Sequence, residues 1–220
     1  MSAKLKIKLI MIGAVGTAKD IIDQVVDAIE NYQYPYIFKG IIIDSFSTGT
    51  SISGVPILGG IKDLPIFLKD KGVRFLFCIY KPEKMKERFD LLLSFGIPSD
   101  RFINFIHPKA YVAQSAKMGN GNIVFPNSSI HSDVVLGNFN IVMSNSNIDH
   151  DSFLGDGNYI TPNCCIGSKV TFGNCNFIGL NSSFRENVVI GNNVFIGMNS
   201  MVLDNFTDCR IWGSPAEIKK

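Results

Sequence analysis

From residue 106 onward the chain places an apolar residue at every sixth position. Ile106, Val112, Met118, Val124, Ile130 and Leu136 begin a series that runs without insertion to Val202, seventeen positions in all. The fifth residue of each group of six is usually small or valine, as at Ala110, Ser128, Val134, Ser152, Val170 and Val188. Side chains alternate along a strand, so the large anchor and the small residue two places before it face the same way. Each six then supplies one short strand and one corner. Three sixes close a coil of eighteen around a triangular prism, with backbone groups pairing from coil to coil. The pattern predicts a parallel β-helix over residues 106–220, ending in a short tail.

Residues 1–105 follow another rule. Lys4, Lys6 and Lys8 alternate with Leu5, Ile7 and Leu9, the period of a strand over residues 5–12 and not of a signal peptide. The turn Gly13-Ala14-Val15-Gly16 follows. Thr17 is placed to cap a helix that buries Ile21, Ile22, Val25, Val26 and Ile29. A second strand over 38–43 ends at Asp44. A polar, mobile loop over 45–54, a short helix near 61–70, a strand over 73–80, a helix near 82–95 and a strand over 101–106 complete this half. Strands alternating with helices predict an α/β, Rossmann-like domain over 1–105.

The six-residue frame also sorts the outward positions. The residue before each anchor faces out, and those eighteen apart share a prism face. One face carries Ile123, Ile141, Tyr159, Phe177 and Phe195; another carries Tyr111, Ser129, Asn147, Cys165, Ser183 and Met201. Aligned apolar residues mark an interface. The preferred reading is contact between subunits, with cover by the N-terminal half of the same chain as the alternative.

Composition narrows the partners. The 220 residues carry a net charge of +2, which gives no nucleic-acid footprint. No apolar run reaches the roughly 18 residues that span a bilayer. The five cysteines form no C-x-x-C pair, which argues against a zinc ligand set or a disulfide framework and for buried thiols in a reducing cytoplasm.

The candidate chemistry sits in Asn147-Ile-Asp-His-Asp-Ser-Phe-Leu-Gly155. His150 is the third residue of its six, a corner place held elsewhere by Pro108, Asn120, Pro126 and Asn138, so it points out of the prism. Asp149 or Asp151 could orient its imidazole for general-base work. There is no G-x-S-x-G, so the nucleophile is read as a substrate amine or hydroxyl.

The repeat, the His150-Asp151 pair and the ending Trp212-Gly-Ser-Pro-Ala216 resemble the hexapeptide-repeat acyltransferases. With the strand–Gly-Ala-Val-Gly–helix domain in front, the whole chain is similar to the bacterial nucleotide-amino-sugar N-acetyltransferases of the bacillosamine-pathway type and to the related sialic acid O-acetyltransferases. The resemblance implies a left-handed coil and a homotrimer with active sites between neighbouring β-helices. Acetyl-CoA is the implied donor, with no metal. The implied acceptor is the amine, at C4 of the sugar, of a UDP-, dTDP- or GDP-linked amino sugar used for bacterial surface glycans. It makes His150 the general base, Asp151 its acid and the Ser168 N–H the oxyanion donor. It gives the nucleotide-sugar to Gly13, Ala14, Gly16, Thr17 and Asp44, with Lys81 as a phosphate contact. Met143 and Tyr159 stand at active-site-lining positions where the family carries asparagine and histidine. Thr17-Ala18 replaces a His-Gly, and Tyr80-Lys81-Pro82 replaces a Gly-Asn turn.

Other readings account for less. A dinucleotide oxidoreductase needs G-x-G-x-x-G, but only Gly13 and Gly16 are present. A zinc carbonic anhydrase needs three clustered histidines, yet His107, His131 and His150 occupy different corner places. A non-catalytic scaffold would leave His150 without work, and sugar O-acetylation is the alternative reaction.

Overall fold

The computed structural model describes residues 6–218, so Leu5 of the expected first strand, and Lys4 before it, lie outside the described residues. The chain forms two compact units, Met1–Tyr80 with Leu92–Phe105, and Lys81–Leu91 with Ile106–Lys220.

The first unit is built on a sheet of five strands. They are β1 (Ile7–Ile12), β2 (Tyr36–Ile42), β3 (Ser51–Ile52), β4 (Val55–Gly59) and β5 (Val73–Phe77), in the order β3-β4-β2-β1-β5. All pairings are parallel except β3 with β4. Leu9–Ile12 of β1 are buried, as a central strand requires. Helix α1 (Thr17–Tyr32) buries Ile21, Ile22, Val25 and Ala28, whereas Val26 and Ile29 are only half-buried. Its N-cap is Gly16, with no side-chain cap, so Thr17 is the first helical residue and does not cap it.

The stretch expected to be a mobile loop contains a hairpin. Ser53 (φ 48°) and Gly54 (φ 77°) turn β3 into β4, the paired positive φ of a tight two-residue connection. The short helix splits into a 3-10 turn, Ile61–Asp63, and α2, Leu64–Leu68. After the 3-10 turn Ser99–Arg101, Phe102 makes only a single bridge to Phe75, so the expected strand over 101–106 is fragmentary.

The second unit is a parallel β-helix. Every one of the seventeen anchors is the second residue of a two-residue strand, from Phe105–Ile106 to Met201–Val202. Strands eighteen residues apart pair in register, as Ser129 with Asn147 and Asn147 with Cys165, and build three faces. The first face carries Ile123, Ile141, Tyr159, Phe177 and Phe195; the second carries Ser129, Asn147 and Cys165; the third carries Val135, Phe153 and Thr171. The corners turn on a left-handed fourth residue: Asn127, Asp133, Asn145, Asp151, Asn163 and Lys169 have φ of 58–63°. Asparagine and aspartate tolerate that conformation better than most residues, which explains their frequency there.

The interior is close-packed around Ile130, Leu136, Val142, Ile148, Leu154 and Phe172. Small fifth residues bury hydroxyls that are satisfied: Ser128 Oγ donates to Met143 O at 2.8 Å and Ser146 Oγ to Thr161 O at 2.9 Å. Below the first face the fifth residues are Asn122, Asn140, Asn158 and Asn176, all wholly buried. Each Oδ1 from Asn122 to Asn158 accepts both the N–H and the Nδ2 of the next asparagine, at 2.9–3.1 Å. Val194 closes this ladder by giving its N–H to Asn176 Oδ1.

The apolar face is not the free surface that its pattern suggested. Ile123 and Ile141 are wholly buried within the chain, Tyr159 is 4% exposed, and Phe177 and Phe195 are half-buried. The segment Lys81–Leu91 belongs to this unit and packs on it. Phe89, in helix α3 (Met85–Ser94), meets Phe139 with ring centroids 6.1 Å apart and stands over Gly157. A cavity of about 600 Å³ lies between Pro82–Glu87 and Phe177, Phe195 and Arg210. At least part of the stripe's cover thus comes from its own chain, as the alternative reading had it.

Candidate active site

His150 stands at the corner between the second and third faces. The turn is made by Asp151, whose left-handed φ of 60° lets its N–H reach back to Ser132 O at 3.1 Å. The coil above holds the corner from the other side, with Lys169 N–H donating to His150 O at 3.0 Å. The imidazole projects outward, and both its side chain and that of Asp151 are about half exposed, 51% and 49%. His150 Nδ1 lies 2.9 Å from Asp151 Oδ2. A carboxylate can only accept, so Nδ1 carries the proton of this bond. Nε2 is then the basic nitrogen.

The structure separates the two flanking carboxylates. Asp151 orients the ring. Asp149 instead accepts the backbone N–H of His150 on Oδ1 at 2.8 Å. That role was not visible in the spacing, which left either acid as the ring's partner.

Ser168 lies one coil above His150 on the same corner, half-buried. Adjacent coils are separated by the interstrand distance of roughly 4.8 Å. The Ser168 N–H has no hydrogen-bond partner among the described residues. The corner between the third and first faces differs. There the N–H groups of Asn120, Asn138, Asp156 and Asn174 are each taken by the side chain eighteen residues on, at 2.6–2.9 Å.

Not every expected residue joins this corner. Met143 follows the first face and so turns the corner into the second, a different edge of the prism. Tyr159 is buried on the first face, its ring 5.6 Å from that of Phe177. Tyr159 thus lines no open surface of the single chain.

In the first unit, Gly13, Ala14, Gly16 and Thr17 lie at the carboxyl end of β1. The strand order runs outward from β1 in both directions, which makes this the switch point where open α/β sheets bind ligands. Gly13 is required there: φ is +98°, and a Cβ would stand 2.7 Å from Ile79 Cγ1 and 2.9 Å from Cys78 O. The N-terminus of the sixteen-residue α1 begins at Thr17 with no side-chain cap, and the helix dipole there favours an anion. Asp44 Oδ1 accepts the Ile61 N–H at 2.8 Å, so one of its oxygens is already engaged. Lys81 is exposed and belongs to the second unit.

Three of the five thiols are buried, whereas Cys165 is exposed on the second face. Burial pushes Cys164 up to about 11 and Cys175 to about 11, and holds Cys78 well above the ordinary thiol value. Among the described residues no group of three or more His, Cys, Asp or Glu is placed to hold a metal ion. No helix there is long and apolar enough to cross a membrane.

Along nearly its whole length the chain resembles bacterial sugar N-acetyltransferases of the hexapeptide-repeat class. Among solved structures it is similar to PerB from Caulobacter crescentus in complex with CoA and GDP-perosamine. The TM-score is 0.83 at 26% identity, over 99% of this chain and 100% of that one. It shares its fold with the acetyltransferase domain of PglB from Neisseria gonorrhoeae in complex with acetyl coenzyme A (TM-score 0.82, 22% identity, 97% of this chain and 100% of that one). WeeI from Acinetobacter baumannii matches at a TM-score of 0.78 and 19% identity, over 96% and 99%. No family model and no curated protein matches the sequence.

Proposed function

We propose that the protein is an acetyl-CoA-dependent N-acetyltransferase acting on the amino group of a nucleotide-linked amino sugar. The observation that carries this is the outward Nε2 of His150, oriented by Asp151 at 2.9 Å, beneath the unpartnered N–H of Ser168. A base and an oxyanion donor about one coil apart are what aminolysis of a thioester needs. The amine nitrogen attacks the acetyl carbonyl and yields its proton to Nε2. The carbonyl oxygen, now negative, is held by the Ser168 N–H. Collapse expels the CoA thiolate, which takes the proton back from the imidazolium.

The nucleotide is assigned to the carboxyl end of β1, with diphosphate at Gly13, Ala14, Gly16 and Thr17 and with the free oxygen of Asp44 for ribose or base. The site is completed in a homotrimer. Met143 lies on a different edge from His150 and reaches the reacting groups only from a neighbouring copy. The similarity to PerB, whose structure holds CoA and GDP-perosamine, puts GDP-linked 4-amino sugars first among the candidates.

The test is thiol release from acetyl-CoA with a panel of UDP-, dTDP- and GDP-linked 4-amino sugars. Turnover with one of them is expected. Release only with free sialic acid or its nucleotide would replace the reading by O-acetylation. Light scattering should give a trimer mass, and a monomer would remove Met143 from the site.

A further inference from the structure

At the His150 corner the outward N–H groups of Ser132, Ser168 and Glu186 have no partner among the described residues, whereas that of His150 does. The partner is the side chain of the preceding residue, Asp149, at 2.8 Å, and not a side chain from the next coil. Gly167 stands above Asp149, and Ser168, above His150, makes no bond to the His150 N–H.

We propose that Asp149 is a positioning residue which, by binding the His150 N–H, fixes the peptide plane from which the imidazole projects. This rests on the acetyl-transfer reading of the same corner. The ring is held by Asp151 and the backbone by Asp149, so the base is constrained from both sides.

A carboxamide oxygen can accept the same bond, so Asp149→Asn preserves the device and Asp149→Ala abolishes it. The chain has three histidines, and ¹⁵N-histidine labelling resolves their backbone amides. In the intact full-length protein the His150 amide should exchange slowly in the wild type and in Asp149→Asn, and at least tenfold faster in Asp149→Ala, on the scale of losing one exposed hydrogen bond. With a substrate from the panel, Asp149→Ala should lower kcat about tenfold with KM for both substrates within about twofold, the signature of misplacement, not lost binding. Asp149→Asn should stay within about threefold in kcat and keep the wild-type pH profile. Slow His150 exchange in Asp149→Ala, an unchanged kcat in that variant, or Asp149→Asn as impaired as Asp149→Ala would each overturn the proposal. If no sugar is acetylated by the wild type, the functional reading fails while the exchange measurement still decides the backbone role.

Discussion

Replacing Asn158 by valine removes one rung of the buried ladder while nearly preserving its volume, and valine already fills the equivalent place at Val134, Val170 and Val194. The Asn158 side chain donates to Asn140 Oδ1 and to Gly173 O, each at 2.9 Å. It accepts the N–H of Asn176 at 3.0 Å and its Nδ2 at 2.9 Å. The substitution leaves the Asn140 oxygen with the backbone N–H of residue 158, at 2.9 Å, and Asn176 Nδ2 with Gly191 O, also at 2.9 Å. Two buried backbone groups lose these partners, the Asn176 N–H and the Gly173 carbonyl. Each costs about 1–3 kcal/mol when orphaned, so Asn158→Val should cost roughly 2–6 kcal/mol. For a chain of this length that corresponds to a fall in Tm of roughly 4–24 °C. Scanning calorimetry with urea denaturation as a second probe measures it, and hydrogen exchange at the Asn176 amide localises it. Asn158→Val with wild-type Tm and urea midpoint would show that the ladder contributes nothing net and that the interior place is governed by volume alone.

Other expectations are more direct. His150→Ala should lower turnover by about two to four orders of magnitude, the usual scale for losing a general base, with KM for acetyl-CoA little changed; turnover near wild type would remove the assigned role. Gly13→Ala combines a φ of +98° with contacts below 3 Å. It should destabilise the first unit by about 1–3 kcal/mol and abolish thermal stabilisation by GDP, which thermal shift reads out. Cys78 and Cys164 have their thiols raised by burial and should react with a disulfide reagent at neutral pH only after denaturation. Prompt labelling of either in the native protein would contradict their placement.

The β-helix was legible because its period is imposed at every coil: a single missing anchor would leave a void or bury a polar group, and none is missing. The outward corner place of His150 followed from the same count. What escaped the count depends on neighbours distant in sequence. The first-face stripe read as exposed because the frame says nothing of Phe89 and Pro82–Glu87, which lie in the N-terminal half yet pack on it. The asparagine ladder carried a signal, an identical residue every eighteen from Asn122 to Asn176, hidden among fifth positions that are otherwise small or valine. The β3–β4 hairpin was masked by serine, threonine and glycine, which read as loop until Ser53 and Gly54 turn together. Whether Asp149 or Asp151 faces the imidazole was beyond spacing altogether, because both are adjacent to His150 and only side-chain geometry divides their work.

The uninterrupted count from Ile106 to Val202 has a consequence for how such a chain can change. Its height is quantised. Adding or deleting eighteen residues would move His150 along the axis by one storey, roughly 4.8 Å, and return it to the same edge. Six would carry it to another edge, and one would scramble every storey beyond it. Length changes before His150 that respect the eighteen thus keep the base, its acid and the N–H above them on the same edge, and they act as a ruler for how far along the column the chemistry takes place.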